Sequence, residues 1–514
     1  MSLSNGWTGK TACDLQAALR LSNEAFADLL GVGVRTVAGW HQKPTLRPQT
    51  VWQQALDTTL EQASAAVRAR FDGNTDEPDT DATDAEIRLS ADPHIGAALD
   101  WLDQHAGLEP GSARHGVARR LIRTDARELR DRGSRRARVQ QREVVAALEN
   151  YYGEMSAPHG LYRARCGTDA MVDTSILTRP DWLDLDCPLR PAHDQLRAKR
   201  GQPDPIAGLD EDATDAAIQR LAETLTMNIR MVDSPLYRLT GIDVRKEHIG
   251  GTVGTAPFVE YALTMDLLEG ELIDAIASGA QWLPLRDEHL PNVASVLDVS
   301  GRLCAGGVLA LTAIARPADP YRGEADYLLL VQERSGHVLN ASRRLAVIPK
   351  GFHQPLIDLR ADAQIGATLR REMEEELFGR SDVDSTTGDQ RSADPMHPTR
   401  LSAPMRWLMT QPDRLRLECT GFGLNLVSGN YEFASLIVID DEDFWNEFGG
   451  MIEANWESTS LHRYSSLDTD LLTDLIGDVA WSNEGLFAMT QGLHRLREIG
   501  GQRVNLPPIE WEIR

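Results

Sequence analysis

Apolar residues recur at three- and four-residue intervals from Ala12 to about Arg70, most clearly in LSNEAFADLLGVGVRTVAGWHQ at 21–42. That period places apolar side chains on one face of a helix and predicts two short helices around a tight turn. Ser22 or Asn23 caps the first helix, and Ala25, Phe26, Leu29 and Leu30 form its buried face. Gly31 stands where the chain must turn through a positive φ, which glycine adopts without steric cost. Val34, Val37 and Trp40 anchor the second helix and leave Arg35, Thr36, Gly39 and His41 on its other face.

Helical periodicity continues through IGAALDWLDQHAGL and VARRLIRTDARELRDRG into EVVAALENYYGEM, and returns at 213–232 and 255–277. Beyond Leu303 the texture changes to apolar runs of strand length, GVLALTAIA, DYLLLVQE, RLAVIPKG and YEFASLIVID. These flank one strong helix, AQIGATLRREMEEELFG. The pattern predicts a multidomain chain with an all-α amino-terminal part, a helical middle and an α+β carboxyl-terminal part. Residues 72–86, DGNTDEPDTDATDAE, contain no basic residue and too little apolar surface to fold, so they read as linker. Residues 381–399 are polar and contain proline, and read as a mobile loop inserted in a folded region. A softer break lies between Gly279 and Pro291. The expected organisation is 1–71, an acidic linker at 72–90, a mainly helical and dimerising region at 91–279, and a last domain at 280–514.

Composition narrows the range of partners. The 514 residues carry 53 Lys and Arg against 77 Asp and Glu, a formal net charge of −24. This excludes a uniformly basic, sequence-blind nucleic-acid binder, so any DNA contact must come from a local patch. The five cysteines are scattered with no Cys-x-x-Cys pair, which argues for reduced thiols in the cytoplasm and against a disulfide framework or zinc module. No window approaches the roughly 18 consecutive apolar residues of a membrane span. The first residues lack the basic-then-apolar pattern of a secretion signal.

The stretch at 21–42 resembles the helix-turn-helix of lambda-repressor-like (XRE) regulators. It departs from them at Gly33, where a Ser or Thr cap is usual, and at Gly39 inside the second helix. In that family the second helix reads the major groove. The resemblance implies that Arg35 and Thr36 contact bases or phosphates beside His41, and that Gln42, Lys43 and Arg47 touch the backbone. The domain is only slightly basic, so specific affinity calls for a homodimer on a palindromic double-stranded operator. The arginine run from Arg119 to Arg142 is interspersed with acids and reads first as a solvated or interface face, second as a source of phosphate contacts.

In RREMEEELFG, Glu372, Glu375 and Glu376 stand at i, i+3 and i+4 and share one helix face. Like charges grouped there cost stability unless a cation neutralises them, and hard ions such as Mg²⁺ or Mn²⁺ take oxygen ligands. Met373 and Leu377 point to a buried side. The segment is similar to the core of the Nudix box, Arg-Glu-apolar-x-Glu-Glu, matched in order by Arg371, Glu372, Met373, Glu375 and Glu376. Ile357 and Ala363 occupy positions where the family has Gly and Glu, and Phe378-Gly379 replaces a Gly-apolar pair. The nearest earlier glycine is Gly351, which makes the loop longer. The resemblance implies an α/β/α sandwich over about 303–496, with a ligand and Mg²⁺ or Mn²⁺ site at Arg371, Glu372, Glu375 and Glu376.

Other motifs carry less. The run GGTVGT at 250–255 lacks the lysine of a P-loop and predicts a turn, and Trp481 and Phe487 read as core aromatics. Together the two resemblances predict a transcriptional regulator that binds double-stranded DNA and senses a nucleotide-like small molecule, with no catalytic residue assigned. The alternative is a Mg²⁺-dependent Nudix-type pyrophosphohydrolase with an accessory helical domain.

Overall fold

The computed structural model describes residues 7–19, 21–63, 67, 71, 89, 93–167, 170–199, 208–227, 229, 231–335, 343–380, 394–452, 455 and 458–514. The chain divides into two compact units, Met1–Ala85 and Glu86–Arg514. In the first, helices Gly9–Leu19, Asn23–Leu30, Val34–Gln42 and Thr50–Gln62 enclose a small core. Ser22 caps the second of these by accepting the Ala25 amide at 3.2 Å, and Gly31 ends it at φ 67°. Phe26, Ala27, Leu30, Val37 and Trp40 are buried with Trp7, Leu15 and Leu56.

Three residues expected in that core are not there. Ala25 is exposed, Leu29 is 52% exposed and Val34 is 41% exposed. The apolar arc of so short a helix is narrow, and Ala27 falls inside it where Ala25 and Leu29 do not. Val34 opens its helix outside the arc that Val37 and Trp40 define.

The second unit is built on strands β1 Gly160–Cys166, β2 Ala170–Thr178, β3 Leu183–Pro188, β4 Asp194–Ala198, β5 Pro235–Arg245, β6 His248–Pro257 and β7 Gly306–Arg316. These are followed by β8 Asp326–Arg334, β9 Leu345–Val347, β10 Lys350–Phe352, β11 Leu415–Asn425, β12 Tyr431–Ile439, β13 Ser458–Ser465 and β14 Ile509–Ile513. Among the described residues, eleven strands form one sheet in the order β13-β8-β7-β12-β11-β2-β1-β14, with β9 on β8, β10 on β7 and β3 on β11. A separate sheet runs β4-β6-β5. Strands β7 and β12 are parallel, in register from Gly306 opposite Tyr431 to Ile314 opposite Ile439.

A parallel centre needs cover on both faces, and both are covered. Val308, Ala310 and Ile314 pack on the side of Ile365, Leu369, Met373 and Leu377. Leu309, Leu311 and Ala313 pack on the side of Phe487, Leu493 and Leu496. Helices Ile365–Glu372 and Asn483–Ile499 therefore lie on opposite faces of one mixed sheet, in a three-layer arrangement.

The division expected at 279/280 does not separate two folds. Strands β1, β2 and β3, from the region read as mainly helical, extend the same sheet as β7 to β14. Arg286, wholly buried, bonds the expected break shut. Its guanidinium donates to the Leu268 carbonyl at 3.4 Å, to the Tyr152 hydroxyl at 3.2 Å, and to the carbonyls of Leu426 and Val427. The strands are hidden in the sequence because arginine and glycine interrupt their apolar alternation, as in GLYRARC and PLYRLTGIDVR. GGTVGT likewise lies within β6, paired with β4 and β5, and is no turn. Apart from Leu89, the expected linker at 72–90 lies outside the described residues, as do 381–393 of the expected loop. No helix among the described residues is long and apolar enough to cross a membrane.

Candidate functional site

On helix Val34–Gln42 the buried Val37 and Trp40 fix the rotation of the helix about its axis. That rotation leaves Arg35 exposed and Thr36 half-buried. His41 is exposed, but its Nε2 lies 3.0 Å from Gln16 Oε1, so it braces the neighbouring helix. Lys43 and Arg47 are exposed just beyond, and the side chain of Gln42 lies outside the described residues. Gly33 supplies no side-chain cap; its carbonyl accepts the Thr36 amide at 2.8 Å.

The acidic helix differs from the expected shelf in its winding and in the burial of its carboxylates. Helix Ile365–Glu372 passes into a π-turn over Met373–Leu377, closed by the Phe378 amide on the Met373 carbonyl at 3.2 Å. The carboxylates of Glu372 and Glu376 nonetheless both meet β10, at the neighbouring residues Gly351 and Lys350. Of the four residues expected at this site, Glu372 and Glu375 border a cavity of about 270 Å³, and Arg371 and Glu376 do not. Glu376 accepts the Lys350 amide at 2.8 Å. Arg371 is buried; it pairs with Glu372 at 2.6 Å and donates to the carbonyls of Phe352 and Gln354, clamping the segment after β10. Glu374, at the motif's unspecified position, is buried and accepts both the amide and the hydroxyl of Ser402 at 3.0 Å. All four glutamates are walls of the interior, not a solvent-facing shelf.

The longer loop still brings its glycine to the first glutamate. A Cβ on Gly351 would overlap the Glu372 carboxylate, so glycine alone lets β10 cross that group.

The cavity's other charged groups escaped the sequence reading. Lys350 Nζ lies 2.5 Å from Glu484 Oε1, and Asn425 Nδ2 donates to Glu484 Oε2 at 3.2 Å. Glu432, on β12, borders the same space. Burial pushes Glu432 up to about 8, and the Glu484 charge adds to this against the opposing Lys350 and Asn425. Burial also pushes Glu484 upward, but the Lys350 ammonium and hydrogen bonds from its own amide and Ser482 outweigh it and hold the carboxyl below its ordinary value. At neutral pH one wall thus carries a proton-bearing acid beside a carboxylate. Arg344 borders the opposite polarity; burial lowers its affinity for its proton against the pull of Glu269 and Glu484, and it donates to the Val139 carbonyl at 2.5 Å.

One signal for these residues was available. Glu432 is a lone carboxylate in YEFASLIVI, every residue of which is buried. Glu484 gives none, since a glutamate after the capping Ser482 is ordinary helix-start chemistry. Trp481 and Phe487 are core aromatics as expected, and Trp481 also walls the cavity. Among the described residues no three His, Cys, Asp or Glu side chains stand together as a preformed metal-ligand set. No protein-family model matches the chain, and no curated protein matches it.

Proposed function

We propose that this chain is a DNA-binding transcriptional regulator. It reads duplex DNA through a helix-turn-helix at 23–42 and senses a nucleotide-type ligand in the cavity beside Glu372 and Glu375. The observation that carries this reading is the two-sided helix Val34–Gln42. Its buried Val37 and Trp40 hold it in place, while Arg35 projects to solvent with Lys43 and Arg47 following. None of these three cations is in an ion pair among the described residues, in a chain of net charge −24. A guanidinium so presented suits paired acceptors on guanine or a phosphate. Two copies on a palindrome would supply the affinity that one slightly basic domain lacks.

The cavity supports a ligand with both donors and acceptors, because its walls alternate Lys350 and Arg344 with Glu372, Glu375 and Glu484. The residues suit a hard cation arriving with such a ligand. Mg²⁺ is commonly held by one or two carboxylates plus phosphate oxygens and water, and Glu372 and Glu375 of the acidic helix both border the space. When bound, the ion would neutralise the ligand's phosphate charge. Ligand and DNA then bias one equilibrium, each by the same factor.

Selection of genomic fragments by the purified protein tests the DNA reading. Enrichment of one palindromic sequence, lost with Arg35→Ala, is expected; an unenriched pool contradicts it. The pyrophosphohydrolase alternative is favoured by one observation, the protonated Glu432 beside the ionised Glu484, a pairing suited to proton transfer. Mg²⁺-dependent turnover of nucleoside diphosphate derivatives, abolished by Glu375→Gln, would decide for it.

A further inference from the structure

Helix Ala126–Arg136 in the second unit buries none of its residues. A helix polar all round must be held by something other than a core. Here the holding is electrostatic: Arg132 pairs with Glu223, Arg136 grips Asp274 through two nitrogens, and Asp125 caps the first turn by accepting the Arg127 amide at 2.7 Å. Together with the preceding helix Ser112–Arg123 it carries nine arginines against two acids, within an acidic chain. Arg120, Arg132 and Arg136 are spent on Asp215, Glu223 and Asp274. Arg119, Arg123, Arg127, Arg130 and Arg135 remain exposed with no ion pair among the described residues. A polar groove of about 540 Å³ runs along the pair, lined by Arg119, Arg123 and Arg135.

Structural ion pairs explain the inward arginines and leave the outward ones without a role in the fold. We propose that this arginine face is a second DNA-contacting surface that grips the phosphate backbone without reading sequence. Repeated guanidiniums on a rigid helix match the repeated phosphates of a duplex, and each contact releases condensed counterions. A membrane surface fits less well, because the helix offers no apolar face to insert. The choice of DNA among polyanions rests on the DNA-binding reading above, while the surface itself does not depend on it. No fixed placement of the two units is required.

The test uses the full chain, a random-sequence duplex and the selected operator, with fluorescence anisotropy read at rising salt. Replacing Arg123→Gln, Arg127→Gln and Arg130→Gln together should weaken both duplexes alike. It should reduce the slope of log affinity against log salt by about 2–3. Arg35→Ala should instead narrow the preference for the operator. The charge-keeping triple Arg→Lys at the same positions should retain most of the slope, and an unchanged melting temperature checks folding. If the Gln triple keeps affinity and slope while Arg35→Ala acts, the second surface is wrong and the DNA reader survives. If neither variant changes binding, both readings fall. If the Gln triple loses binding to phosphatidylserine vesicles or to poly-glutamate but not to DNA, the surface serves another partner and the proposal is overturned.

Discussion

The helix pair of the first unit and the cavity of the second place their charged groups in opposite surroundings. Arg35, Lys43 and Arg47 stand in solvent, supported from behind by an apolar core that makes no demand on them. Glu372, Glu375, Glu432 and Glu484 are buried, and each must be matched by a neighbour or change its proton affinity. The first arrangement separates folding from chemistry, so its surface can change with little effect on stability. The second merges them, because the groups that would recognise a ligand are also the groups whose burial must be offset.

Five substitutions sharpen or break that contrast. The largest effect is expected from Trp40→Ala, which should cost the first unit about 3–5 kcal/mol. Arg35→Ala on the same helix should change stability by less than about 0.5 kcal/mol. Hydrogen exchange over 9–62 reads both, and equal costs would show that the two faces are not independent. Arg286→Ala should come next, at about 3 kcal/mol, because it leaves the carbonyls of Leu268, Leu426 and Val427 buried without their donor. Denaturant unfolding of the full chain should show the loss in the second unit only.

Glu432→Gln should act through pH. The folded state holds this proton up to about 8 against an ordinary value of 4.5. The wild type therefore binds the proton more tightly when folded, and loses that stabilisation as pH rises from about 5 to about 8. Glutamine has no such proton to lose, so the variant should gain on the wild type across that window. Parallel stability curves would remove Glu432 from the cavity's charge balance. A modest loss, roughly 1–2 kcal/mol, is expected from Gly351→Ala, whose methyl must displace the Glu372 carboxylate. A melting temperature equal to that of the wild type would contradict the close crossing of β10.

The same contrast explains what the sequence discloses. The helix pair is legible because every determinant is local: Ser22 caps, Gly31 turns, and Phe26, Leu30, Val37 and Trp40 repeat at the helical period. Its errors are those of arc width, at Ala25, Leu29 and Val34. The acidic helix is legible as a helix with Met373 and Leu377 beneath, but its carboxylates are buried and do not face solvent. An α-helical period was assumed across Met373–Leu377, where the backbone winds more widely. The cavity also draws on β7, β8, β10, β11, β12, helices Gln141–Tyr152 and Leu267–Ser278 and the start of helix Asn483–Ile499, more than a hundred residues apart in places. No spacing rule brings Lys350 to Glu484. The strands of the middle region escape the sequence for a related reason: β1 and β5 place arginines where a solvated loop would, and pairing with other strands is what makes them sheet.

The central claim is that an acid-lined cavity in one unit tunes the grip of a helix in another. It is tested most directly by measuring the affinity of the full chain for its selected operator while nucleoside diphosphates and Mg²⁺ are titrated in. The account predicts that one of them shifts operator affinity, that the operator shifts its affinity by the same factor, and that Glu375→Gln abolishes both shifts without altering binding to DNA alone. Superimposable operator curves for both proteins, with and without every nucleotide, would contradict it.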